Sequence, residues 1–339
     1  MPTNTLLQVL IAGQLNQNFI ISPTGEAYAD IPGGSLIFSA VGFALWETGS
    51  TGLIARVGEN FPRRWIDDLD RLQFDTRGIN ILPQALDLRH FLAYDDQGAP
   101  QDDNPVAKYS RLGLLFPKAL LGYTPPVQEM DSRTRPGANT LQIKDIPQNY
   151  FDASAAHICP LDFHSHKRLL SLFNQNRVTT LTLDPAESYM HPVFWEELPG
   201  LLNGLTAFHT SEEKLQSLFH YRSADLWEMA SEIAQFGCEV VVIKRKARGQ
   251  MVYTHANHEC WTIPAYPSRV ADPTGAGDAF GGGFLAGFRK TYDPVEAALY
   301  GNISASIVIE GSDPFYALDA MPGLAQARLD SLRTMLRKA

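Results

Sequence analysis

The sequence predicts an α/β fold built on a central, mostly parallel sheet with helices on its faces, and three observations predict it. Short apolar runs recur at strand length and alternate with amphipathic stretches at helix length. The most strand-like of them, Val240–Ile243, is four β-branched residues in a row. The 339-residue chain is 45% apolar and 19% charged, enough to bury a large core. It carries no long polar or low-complexity tract of the kind that stays disordered.

Taken in order, Leu6–Ala12 is a buried strand closed by Gly13, and Phe19–Ser22 with Ala27–Ile31 flank the turn PTGE as a hairpin. Gly33 and Gly34 open an apolar helix over Ser35–Trp46. Leu53–Val57 is a second buried strand closed by Gly58, followed by an amphipathic helix near Arg63–Leu72. Residues 79–150 break this rhythm, being rich in Pro, Gln, Asp and Asn, and read as an insertion on a few short strands. The alternation then resumes. His157–Cys159, Val178–Leu183, Gly204–Phe208 and Val240–Ile243 are strands, with helices near Lys167–Asn174, Ser211–Phe219 and Ala224–Phe236 between them. Pro294–Ile309 and Leu324–Leu336 complete a helical C-terminal part. One domain is expected over residues 1–339.

The net charge of −9 argues against a general nucleic-acid or anionic-membrane surface. Three scattered cysteines (Cys159, Cys238, Cys260) with no CxxC spacing suggest neither a disulfide framework nor a zinc site. The N-terminal residues lack the pattern of a signal peptide, and no apolar run reaches the roughly 20 residues that span a bilayer. A cytoplasmic protein acting on a small molecule is the expectation.

The chemistry concentrates in DPTGAGDAFGGGFLAGF, residues 272–288. Six glycines crowd one acid, Asp278, although each glycine inside a helix costs about 1 kcal/mol relative to alanine. Small residues at a helix start leave backbone N–H groups uncovered, and those donors at the positive end of the dipole attract anions, phosphate foremost. Gly281–Gly283 and Gly287 are expected to let the helix lie close to the sheet. A dinucleotide loop does not fit, since Phe280 holds the third glycine position, and no Walker GxxxxGK[ST] exists in the chain. A carboxylate kept ionised by the helix dipole, beside amides that hold a phosphoryl group, can accept the proton of an attacking hydroxyl.

This stretch resembles the C-terminal signature of the PfkB family of carbohydrate kinases, which have the ribokinase-like fold. PGGSLIFSAVGFALWETGSTGLIARVGEN resembles the family's N-terminal signature, and VVVIKRKARGQMVY its nucleotide-side strand and turn. The resemblance implies an ATP-dependent kinase for a hydroxyl of a sugar or sugar-like molecule, with magnesium on the ATP phosphates. Asp278 would be the base, and Gly275, Ala276 and Gly277 the anion hole. Asp272 and Thr274 match positions beside a monovalent cation (K+) in some members. Asn16, Asn18, Gly33 and Gly34 match substrate positions, although Asn18 stands where relatives carry Asp. Phe38 stands where ribokinases place Asn. Lys244, Gly249 and Asn302 match the nucleotide side. The family's N-x-x-E magnesium motif falls either on Ser211 and Lys214 or on Thr210 and Glu213, while Ser211 with Glu212 and Glu213 also reads as a plain helix cap. A lid over about 18–32 and 79–125 is implied, with Arg89 and His90 facing substrate from it and a homodimer formed through it. A nucleoside kinase, with Phe19 and Phe38 lining an aromatic pocket, and a non-catalytic binding protein on the same fold are the alternatives.

Overall fold

The computed structural model describes residues 7–49, 51–95, 98–125, 129–176 and 178–338. The strands are β1 (Val9–Ala12), β2 (Asn16–Ile21), β3 (Ala27–Gly33), β4 (Thr51–Gly58), β5 (Phe74–Leu82), β6 (Arg89–Tyr94), β7 (Pro100–Gln101), β8 (Ala155–Ile158), β9 (Thr180–Leu183), β10 (Ala207–Ser211), β11 (Val240–Lys244), β12 (Gln250–Thr254), β13 (Glu259–Ile263) and β14 (Arg337–Lys338). The helices are α1 (Ser35–Ala44), α2 (Arg63–Arg71), α3 (Pro105–Arg111), α4 (Phe163–Gln175), α5 (Leu198–Leu202), α6 (Glu212–Phe219), α7 (Leu226–Ala234), α8 (Ala276–Thr291), α9 (Pro294–Val308) and α10 (Leu324–Arg333).

Among the described residues one large sheet runs β14-β13-β12-β11-β10-β9-β8-β1-β4-β5. From β11 to β5 every pair is parallel, and β12, β13 and β14 extend the other edge antiparallel. Alternate strand residues feed two cores, as the two-residue period requires. Val9, Ile11, Leu53 and Val242 pack with α1, α2, α8, α9 and α10 on one face. Leu10, Ile54, Val241 and Ile243 pack with α4, α5, α6 and α7 on the other. This is the α/β architecture expected. β1 and β8 adjoin although the chain leaves β1 for β4 and β5 first, so the order reverses there. Ligands of open α/β sheets bind beyond the carboxyl ends of strands at such a point.

A second sheet, β3-β2-β6-β7, stands beside the first. Phe19, Ile21, Phe91 and Ala93 on one side of it pack with Tyr109 of α3 and Leu120 in a small core of their own. Strand alternation therefore turns Asn18, Ile20, His90, Leu92 and Tyr94 to the opposite side. Phe19, read as a pocket residue from sequence, belongs to the small core instead. The inserted region also starts later than expected, because residues 79–82 complete β5 of the large sheet. Leu6 lies outside the described residues. Among these, no helix is long and apolar enough to cross a membrane.

The glycines of α8 act differently from the expectation. A Cβ on Gly282 would lie 1.8 Å from the Ser39 carbonyl oxygen of α1, and one on Gly283 would lie 2.2 Å from Ser304 Oγ of α9. Only Gly281 abuts the sheet, where a Cβ would meet His157 Nε2 at 2.3 Å. The helix is wedged between two neighbouring helices as well as against the sheet, and the two helix contacts are with backbone or near-backbone atoms.

Candidate active site

The chain turns into α8 through Gly275, whose φ of 77° suits glycine and whose missing side chain makes room for the Phe38 ring. Ala279 N–H is the first amide to donate into the helix, to Gly275 O, and Ala276 N–H donates to Pro273 O at 3.3 Å. Among the described residues no acceptor takes the Gly277 or Asp278 amide. Asp278, half-buried in the first turn, carries its carboxylate beside these free donors. Its pKa is pushed up to about 6, by burial first and then by the nearby Asp184 charge, against the pull of Lys244 and Lys214. The dipole alone does not set its charge, contrary to the sequence expectation. It remains mostly ionised at neutral pH.

Asp184 immediately follows β9, and sequence reasoning missed it. It is 2% exposed, with Lys214 Nζ 3.1 Å from Oδ1 and Lys244 Nζ bonded to Oδ2. Burial alone would raise its pKa, but the two ammonium groups hold it well below the usual carboxylate range. Lys214 also donates to Pro185 O at 2.6 Å, and Lys244 to Gly277 O at 3.3 Å. The second contact brings the β11 lysine to the first turn of α8. The other bases of the 244–249 turn go elsewhere. Lys246 pairs with Glu213 at 2.6 Å and Arg248 pairs with Glu212, while Gly249 (φ 81°) closes the turn against Ile263 O.

These pairings correct two expectations. Glu213 is surface-exposed and neutralised by Lys246, so it is not turned to a metal, and it is Lys214 that faces Asp184. Ser211 accepts from Lys214 N–H at 3.2 Å as the cap of α6, the plainer of the two readings. Asn302 offers no free polar atom for adenine. Its amide donates to Gln250 Oε1 and Pro264 O and accepts from Tyr266 N–H.

On the other side of the crevice, Asn18 is 1% exposed, lies against Gly33, and has an Oδ1 without a partner. Gly34 (φ 100°) caps α1 against Gln14 O, and Asn16 is half-buried opposite Gly33 in the strand register. Phe38, 4% exposed, packs its ring against Gly275. Arg89 has its guanidinium committed within the protein. It grips Asp87 and donates to the Ala119 and Leu121 carbonyls at 2.9 and 3.0 Å, holding an irregular segment that sequence could not pair with it. Tyr94 reaches across to share a 2.8 Å hydrogen bond with the Thr274 hydroxyl, joining the small sheet to the turn that precedes α8. Asp272 Oδ1 accepts from Thr274 N–H at 2.9 Å, and the rest of the buried carboxylate lies beside the Ser312 hydroxyl.

A family model described as pfkB family carbohydrate kinase matches residues 150–320, a span that includes Asp184, Lys214, Lys244 and Asp278. A cytidine kinase of Thermococcus kodakarensis is 26% identical over 84% of this chain and 90% of its own length. Among solved structures, a candidate ribokinase II of E. coli, in complex with ATP and magnesium, aligns over 96% of this chain and 100% of its own with a TM-score of 0.71 at 19% identity. A fructokinase of Vibrio cholerae, bound to fructose, ADP and potassium, aligns over 97% and 99% with a TM-score of 0.67, also at 19% identity.

Proposed function

The chain belongs to the PfkB family of carbohydrate kinases, and from that premise we propose that it transfers the γ-phosphoryl group of ATP to a hydroxyl of a sugar or sugar-like small molecule. The observation that carries the proposal is the Asp278 carboxylate in the first turn of α8, beside unbonded Gly277 and Asp278 amides and the Lys244 ammonium group. The acceptor hydroxyl gives its proton to Asp278 as its oxygen forms the bond to phosphorus and the bond to ADP breaks. A positioned base of this kind contributes about 10²–10⁴-fold. The free Gly277 and Asp278 amides receive the charge on the phosphoryl oxygens, where one such donor is worth about 10²–10³-fold, while the Ala276 amide of the expected anion hole is already bonded to Pro273 O. Phe38 holds Gly275 in its left-handed conformation, and Asn18 Oδ1, buried without a partner, accepts from an acceptor hydroxyl.

The small sheet acts as the lid. Its inner side faces the crevice, and Tyr94 fastens it to Thr274, excluding water that would compete for the phosphoryl group. The buried Asp272 carboxylate and the Ser312 hydroxyl beside it are oxygen ligands of the kind that suits a monovalent cation, which when bound would supply fixed positive charge behind the 272–277 turn. A protein-held magnesium fits less well. Asp184 has both oxygens on lysines, Glu213 is paired with Lys246, and among the described residues no group of three acids, histidines or cysteines could hold a metal.

A nucleoside acceptor is the second reading. It is favoured by the neutral inner side of the small sheet (Ile20, His90, Leu92, Tyr94), with Asn18 in place of a carboxylate, and by the likeness to a cytidine kinase.

ADP release measured against a panel of sugars, polyols and nucleosides separates these readings. Asp278→Asn is expected to lower turnover by about 10²–10⁴-fold while ATP still binds. Near-normal turnover in that variant, or no ADP release with any acceptor, would overturn the proposal.

A further inference from the structure

Resting on the ATP-dependent reading, we infer that Lys214 and Lys244, pinned by Asp184, form a two-ammonium clamp for the phosphate chain of the nucleotide. An ion pair that served structure alone would need one lysine. Here one buried carboxylate holds two, leaving the triad with a surplus positive charge. That surplus stands against Gly277 in the first turn of α8, where the Asp278 carboxylate is its counter-charge.

Donor counting points the same way. An ammonium group has three N–H bonds. Lys214 directs one to Asp184 and one to Pro185 O, and Lys244 directs one to Asp184 and one to Gly277 O. Each keeps one donor free, and each side chain stays partly exposed. Lys246 and Arg248 cannot serve in the same way, because Glu213 and Glu212 at the start of α6 already pair with them. The acidic first turn of α6 thus draws Lys246 and Arg248 aside, Arg245 turns to the Arg248 carbonyl, and Lys244 is the base of this turn that meets Asp184, with Lys214 of α6 completing the pair.

The clamp recognises phosphate charge and is indifferent to the nucleobase. Its test is equilibrium binding of ATP, ADP and adenosine to the full chain without acceptor, wild type against Lys214→Met and Lys214→Arg. Lys214→Met is expected to weaken ATP about tenfold or more, to weaken ADP less, and to leave adenosine unchanged, with Lys214→Arg recovering most of the loss. Asp184→Asn, which frees both lysines from their pivot, is expected to shift ATP in the same direction while Asp184→Glu restores it. An unchanged ATP affinity in Lys214→Met, an equal loss for ATP and adenosine, or a wild-type protein that binds no ATP overturns the clamp. A protein that binds ATP through Lys214 but phosphorylates no acceptor would instead overturn the transfer reading alone.

Discussion

His209, in β10, is fully buried with its ring 4.4 Å from Phe284 and 5.6 Å from Phe280, and neither ring nitrogen has a hydrogen-bond partner. His157 lies 5.6 Å away, its Nδ1 bonded with Thr182 Oγ1. Burial pushes His157 down to about 3 and His209 well below its usual range, with Lys244 adding to and Asp184 opposing both shifts. Only the unfolded chain then takes up these protons. Stability is full above about pH 6.5, where unfolded imidazole titrates, and falls below it by about 1.4 kcal/mol per pH unit for each such histidine. His209→Met is expected to make that decline shallower by one histidine's share and to leave stability at pH 7 equal or higher, since an unpaired polar ring leaves the core. Denaturant unfolding at pH 7 and pH 5 checks this, and an unchanged pH slope would count against it. Single residues also mark the limit of what the sequence reveals. Asp278 is legible because its partners are its own neighbours in a glycine-rich turn. Asp184 is not, because its meaning comes from Lys214 and Lys244, which are 30 and 60 residues away. The partners of Arg89 are illegible for the same reason, as its acceptor carbonyls lie in a segment without periodicity.

Among elements, α8 shows how packing overrides propensity. The strands and helices of the large sheet were legible because apolar runs and 3.6-residue periodicity are local signals. The glycines of α8 carry no such signal, and their purpose appears only when α1 and α9 are in place. Replacing a helical glycine by alanine should gain about 1 kcal/mol of propensity. At Gly282 the new methyl would overlap the Ser39 carbonyl oxygen, which belongs to a helix backbone and cannot turn away. Gly282→Ala is therefore expected to destabilise by a net of about 1–3 kcal/mol or more. Gly200, exposed in α5 with nothing within 4 Å of an added Cβ, supplies the contrast. Gly200→Ala is expected to be neutral or stabilising by up to about 1 kcal/mol. Thermal unfolding of the pair distinguishes steric from intrinsic cost, and equal effects at both sites would refute the wedge.

For the molecule as a whole, the feature to account for is a cluster of two lysines and two carboxylates at the start of α8, tied to a second sheet through the turn that precedes the helix. The small sheet has its own core of Phe19, Ile21, Phe91, Ala93, Tyr109 and Leu120, separate from the two cores of the large sheet. The Tyr94–Thr274 hydrogen bond, between residues 180 apart in sequence, is the polar tie between this sheet and the turn that holds Gly275–Gly277. Burial raises the Tyr94 phenol well above its ordinary pKa, so it remains a neutral hydroxyl at any working pH. Tyr94→Phe keeps the ring and deletes only that bond, at a cost of about 0.5–1.5 kcal/mol to the closed arrangement. If closure excludes water, the deletion is expected to lower transfer to the acceptor by up to about tenfold. ADP release without acceptor should rise relative to transfer, while overall unfolding stability changes little. Measuring phosphorylated product and ADP in the same reaction gives the ratio directly. A ratio equal to that of the wild type would show that the small sheet closes without Tyr94, and that the contact serves only to position Thr274.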